Sequence, residues 1–224
     1  MNAYFTRPLA ALLTLVAITC AAQTSRDKEP LCDQQGSKKV DVSDTDATIL
    51  GFAIGHASLK DVQAKLGDAT VERVSRDEES DTAICYVSPA DGTVLIFYSG
   101  AMGGWRDLTH FALWSPKAKY PHQSQCTPSA QVSRNVATTS GLRLGLTQNQ
   151  LEQIAGKPTK SGSETSKYEY LCRAKMTPEE IKGFKDANNW DVTNDPYFDR
   201  MSWIKVQYAN SVASRIDIGR IGSY

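Results

Sequence analysis

The order of features that runs from Ile49 to Gly67 returns between Ser140 and Gly156, and this internal repetition constrains the fold more than anything else in the chain. The two stretches read ILGFAIGHASLKDVQAKLGDAT from Ile49 and SGLRLGLTQNQLEQIAGKPT from Ser140. Gly51 aligns with Gly141, Gly55 with Gly145 and Gly67 with Gly156; further along, Cys85 aligns with Cys172 and Cys32 with Cys126. Only the loop lengths drift. A sequence that repeats itself at a fixed period builds one supersecondary unit more than once. The expectation is therefore two degenerate copies, residues 49–120 and 121–224, with an insertion at 174–200 in the second. A polar segment, 23–48, precedes them and carries Cys32. Counting Cys32 of the preceding segment with the first copy, two cysteines per copy make Cys32–Cys85 and Cys126–Cys172 the expected disulfides, each closing a loop of roughly 50 residues worth ~4 kcal/mol in the chain-entropy model.

Each copy has legible local structure. Ser58 and Thr147 stand where helix N-caps belong, with Asp61 and Gln150 three residues on to complete a capping box. The helices run through Val62 and Leu66, or Leu151 and Ile154, and end at Gly67 or Gly156. Such short helices with one apolar stripe need a surface to pack on. Strand-like runs follow: ATVERVS, TAICYVS, TVLIFYS and LTHFALW in the first copy, and SKYEYLCRA, SWIKVQYA and SVASRIDIG in the second. Asp91-Gly92 and Asn210 mark turns. Alternation puts Ile204, Val206 and Tyr208 toward the helices, and Trp203, Lys205 and Gln207 on the other face. By the same rule Phe111 and Leu113 are core while His110 and Trp114 face out, and Val212, Ser214, Ile216 and Ile218 oppose Ala213, Arg215 and Asp217. The expected class is α+β, each copy a short helical layer packed on one antiparallel sheet.

The N-terminus follows the export pattern. Arg7 is followed by Leu9 to Ile18 (LAALLTLVAI), too short to span a bilayer, and small residues at Cys20 to Ala22 offer a cleavage site. Residues 1–22 are thus read as a signal peptide, placing the protein in the periplasm or outside the cell, with no transmembrane segment in the mature chain. Lipid attachment at Cys20, and with it the outer membrane, is the alternative, although Thr19 suits a lipoprotein motif poorly. Lys and Arg together number 25 and Asp and Glu 25, a balance that argues against a nucleic-acid surface. Four cysteines remain once Cys20 is set aside, which in an exported chain reads as two disulfides.

Gly145, Thr147, Gln150, Leu151, Gly156 and Pro158 form a glycine–cap–box–stop pattern ahead of an antiparallel sheet. It resembles the repeat of the β-lactamase inhibitory proteins and of small outer-membrane lipoproteins of the SmpA/OmlA type. The first copy keeps Gly55, Ser58, Asp61, Val62 and Gly67, but has Ala69 in place of the proline and one extra residue before the cap. The resemblance implies an exported binding protein, either a tandem-repeat inhibitor or an envelope-assembly component, and assigns no individual contact residue.

No recognised catalytic motif is present: no nucleophile elbow, metalloprotease helix, phosphate loop, dinucleotide fingerprint or C-x-x-C. His56, His110 and His122 lack a metal-ligand spacing. Asp191, Thr193 and Asp195 suggest a calcium loop, but Pro196 stands where glycine is needed. Neither a metal nor a cofactor is expected. Aromatic residues are the remaining candidates, because Trp and Tyr dominate protein interfaces. Trp105 lies in a glycine-rich insertion, and Trp190 and Tyr197 in the second insertion, which opens with a Thr177–Glu180 capping box. His110, Trp114, Trp203, Lys205, Gln207 and Arg215 share the outward sheet face. The expected function is non-catalytic binding of another envelope or secreted protein, as an inhibitor or immunity-type protein acting by steric occlusion. The alternatives are a structural outer-membrane lipoprotein and an enzyme of unrecognised type.

Overall fold

The helices form where their caps are. In the computed structural model, which describes residues 29–33, 39–76, 79–100, 106–188 and 191–223, Ser58 N–H donates to Asp61 Oδ2 at 2.8 Å and Asp61 N–H returns to Ser58 Oγ at 3.2 Å. This box opens α1 (Leu59–Leu66), which Gly67 ends at φ 102°, where a side chain would be strained. Before it lie two short strands, β1 (Thr48–Ile49) and β2 (Phe52–Ala53), which pair with each other, and Ile49 of β1 also bridges Thr138. Then come β3 (Glu72–Arg76), β4 (Glu79–Val87), β5 (Val94–Ser99), β6 (Leu108–Trp114) and β7 (Thr127–Pro128). The Thr147–Gln150 box opens α2 (Gln148–Ala155) in the same way. β8 (Lys160–Ser161), β9 (Thr165–Lys175), α3 (Pro178–Asn188), β10 (Tyr197–Ala209) and β11 (Val212–Ser223) complete the chain. Thr177 and Glu180 form the expected box at the start of α3.

Among the described residues, nine strands form one sheet in the order β3-β4-β5-β6-β11-β10-β9-β8, with β7 beside β4. All its pairings are antiparallel except β4 with β7. The molecule is α+β as the sequence implies. A separate sheet for each half is not found, because β6 pairs with β11 from Trp114↔Arg215 to His110↔Gly219 and joins the halves edge to edge. On the inner face α1, α2 and the segments ahead of them cover the main core, which includes Val62, Phe97, Phe111, Leu151, Tyr168, Ile204 and Ile218. Val62 and Leu151 are fully buried, and each contributes about 1.5–3 kcal/mol relative to exposure.

Two further expectations fail for tertiary reasons. The disulfides are Cys32–Cys172 and Cys85–Cys126, not the pairs within each copy. Cys126 immediately precedes β7, whose parallel pairing of Thr127 with Tyr86 carries it to Cys85 on β4. Leu31 bridges Arg173, and Cys32 N–H donates to the Arg173 carbonyl at 2.9 Å, so Cys32 meets Cys172 on β9. Four strands separate β4 from β9, about 24 Å of sheet, whereas a disulfide needs Cα atoms within about 7 Å. The second failure is the facing of Val212 and Ser214. A bulge between Gln207 and Tyr208 pairs Arg215 with Gln207 and Ala213 with Tyr208, leaving Ser214 as the extra residue. Ala213, not Val212, therefore joins Ile216 and Ile218 in the core.

A candidate binding face on the outer side of the sheet

Strand register lays out the outer face in rows. One row runs Glu169, Trp203, Gly219, His110, Tyr98; its neighbour runs Lys167, Lys205, Asp217, Ala112, Ile96. Thr165, Gln207, Arg215 and Trp114 flank these on one side, and Leu171, Met201 and Ile221 on the other. The β4–β6 half of this face is covered. The stretch from Pro116 to Cys126 folds over it, held by Cys85–Cys126 and by Tyr120 against Trp114 at 5.3 Å. Beneath it Ala83, Val94, Ile96, Tyr98 and Ala112 form a second small core.

Among the described residues the β9–β10 half is bare. Leu171 and Met201, adjacent in register, are each 47% exposed, with Glu169, Lys167, Lys205 and Gln207 also exposed around them. Trp203 stands at the boundary, half-buried. Its Nε1 donates to Asp217 Oδ1 at 2.7 Å, and Lys205 Nζ lies 5.3 Å from its ring centroid. The Lys205–Glu169 ion pair at 3.8 Å is open to solvent and contributes little stability.

Of the residues expected at a contact surface, Lys205 and Gln207 are exposed on this half. His110 is not available for contact: it is 4% exposed, stacked on Tyr98 at 3.9 Å and edged by Trp203 at 5.7 Å. Alternation places its side chain on the outer face correctly, but the neighbouring strands supply two rings that roof it over. Trp114 is half-buried between Tyr120 and the Arg215 guanidinium, 4.1 Å from its ring, and Arg215 also reaches Asp217 at 3.4 Å. Tyr197 lies under Arg173 at 5.0 Å, at the far end of β10. Trp105 and Trp190 lie outside the described residues, as does Cys20. Leu171 and Met201 were not singled out from sequence. Their signal was the alternation itself, since Tyr168 and Cys172 point inward and leave Glu169 and Leu171 facing out.

Other groups are committed to structure. Arg200 and Arg220 reach Asp41 at 3.3 and 3.7 Å, and Arg220 pairs with Asp44 at 2.8 Å, clamping the segment around Val42 to β10 and β11. The Arg220 hydrogen bond holds the Asp44 carboxyl below its usual range. These residues line a cleft of about 510 Å³ beside Cys32. Cys32, Asp41 and Cys172 bring ligand atoms within 4.8 Å of one another, but both sulfurs are in the disulfide and neither is a thiolate able to bind a metal. Burial pushes the phenols of Tyr86, Tyr168 and Tyr208 up, Tyr86 to about 12. In the described residues no helix is long and apolar enough to cross a membrane.

The fold and this face define an α+β protein whose one large sheet is covered by helices on one side and half bare on the other. No family model matches the chain, and no curated protein or solved structure does.

Proposed function

We propose that the chain is an exported, non-catalytic protein-binding module that grips another envelope or secreted protein with the bare β9–β10 half of its sheet. The observation that carries this reading is the pair Leu171 and Met201, both 47% exposed and adjacent in register, beside the indole of Trp203. Apolar side chains gathered on a flat face within a charged rim have the make-up of an interface core. The face is held firm: the sheet continues across both halves, and the two disulfides tie β9 to the N-terminal segment and β4 to the covering segment. A rigid platform loses little entropy on binding, which suits an inhibitor or immunity-type protein acting by occlusion.

Export is supported by the Arg7 and Leu9–Ile18 leader pattern and by two disulfides, which persist in oxidising compartments. The reading of the chain as two copies of one unit rests on α1 and α2. Each is 8 residues long, opened by a capping box and closed by a glycine at positive φ.

Affinity capture from envelope and secreted fractions tests the function. The wild-type protein should retain a defined partner that a Leu171→Glu/Met201→Glu variant loses. Both side chains are surface residues, so the variant should keep its fold by circular dichroism. Retention of the same partner by both proteins would remove this face from the function.

A further inference from the structure

A cleft of about 460 Å³ opens at the end of the β6–β11 seam, walled by five separate stretches of chain. Its size falls within the range of small-molecule pockets, and it lies where the two halves of the chain meet, a common place for them. Leu144 and Val212 give it apolar lining. Lys117, Arg134 and Arg143 line it as well and are exposed, and no ion pair engages them among the described residues. The carboxylate that lines the cleft, Asp91, is already used: it accepts from Thr93 N–H at 3.0 Å and from Arg134 N–H at 2.9 Å. Positive charge is therefore in excess. Ser115, on the same wall, has a hydroxyl oxygen shut off from solvent with no hydrogen-bond partner among the described residues. Native structures rarely leave such a group unmatched without cause. The Ser214 bulge borders the same cleft, and bulges are frequent beside functional sites.

We infer that this cleft binds a small organic anion, a carboxylate or phosphate carried on a short apolar body. Arg134 and Arg143 take the acid group, the Ser115 hydroxyl turns out of its enclosed position to donate to one of its oxygens, and the apolar body lies on Leu144 and Val212. The site is separate from the bare sheet face and does not depend on it.

The test is an NMR titration of the oxidised protein with octanoate, octyl phosphate, inorganic phosphate and octyltrimethylammonium. Octanoate or octyl phosphate should shift the amides of Ser115, Leu144 and Ala213 saturably. Arg134→Gln/Arg143→Gln should weaken this binding by about ten-fold or more while leaving amides elsewhere unchanged. Absence of saturable shifts, equal binding of octyltrimethylammonium, or unchanged affinity in the double variant would overturn the assignment. Equal affinity for inorganic phosphate and octyl phosphate would overturn the organic part of it.

Discussion

The indole of Trp203 occupies the space that a side chain on Gly219 would take, the two residues being paired across β10 and β11. A methyl group at Gly219 would overlap the ring, and the hydrogen bond from Nε1 to Asp217 at 2.7 Å restrains the ring from moving aside. Overpacking of this kind costs about 1–3 kcal/mol. Gly219→Ala should therefore lower stability by about 2 kcal/mol in urea denaturation and alter tryptophan fluorescence. A variant as stable as wild type would show that the ring can leave its place freely.

The disulfides make a covalent prediction. Peptide mapping without reduction should recover Cys32 joined to Cys172 and Cys85 joined to Cys126. The sequence separations of 140 and 41 residues give chain-entropy contributions of about 5 and about 4 kcal/mol respectively, upper values for what each double serine replacement should remove.

Tyr168 is fully buried, and among the described residues its hydroxyl has no hydrogen-bond partner. Removing an unsatisfied group costs nothing in lost bonds, so Tyr168→Phe should leave stability unchanged or raise it by about 1 kcal/mol. A clear loss in chemical denaturation would reveal a partner for the hydroxyl.

Burial pushes the Asp91 carboxyl up, but the N–H groups of Arg134 and Thr93 outweigh it and hold it down at about 2. A depressed carboxylate stabilises the fold above its unfolded-state value and loses that contribution as pH falls toward the folded one. Stability should drop between pH of about 4 and about 2, and Asp91→Ala should lose part of that drop. An identical acid profile in the variant would contradict the role of these hydrogen bonds.

Much of the fold was legible because its signals are local. The Ser58–Asp61 and Thr147–Gln150 boxes need only residues three apart, and alternation sorted Ile204 and Val206 from Trp203 and Lys205. What failed depends on which strands become neighbours. The pairing of Cys32 with Cys172 follows from where the segment around Leu31 docks, which no repeat length encodes. The Ser214 bulge shifts facing without disturbing the look of VASRIDI. His110 is buried by Tyr98 and Trp203, both distant in sequence. The candidate face was legible in Trp203, Lys205 and Gln207, whereas Leu171 and Met201 were hidden beside the more conspicuous Cys172 and Trp203.

Oxidative footprinting of the captured complex reads out whether the bare β9–β10 face is the binding surface. Met201, 47% exposed, should oxidise readily in the free protein and be protected when the partner is bound. Oxidation of Met201 at the same rate with and without the bound partner would contradict the account.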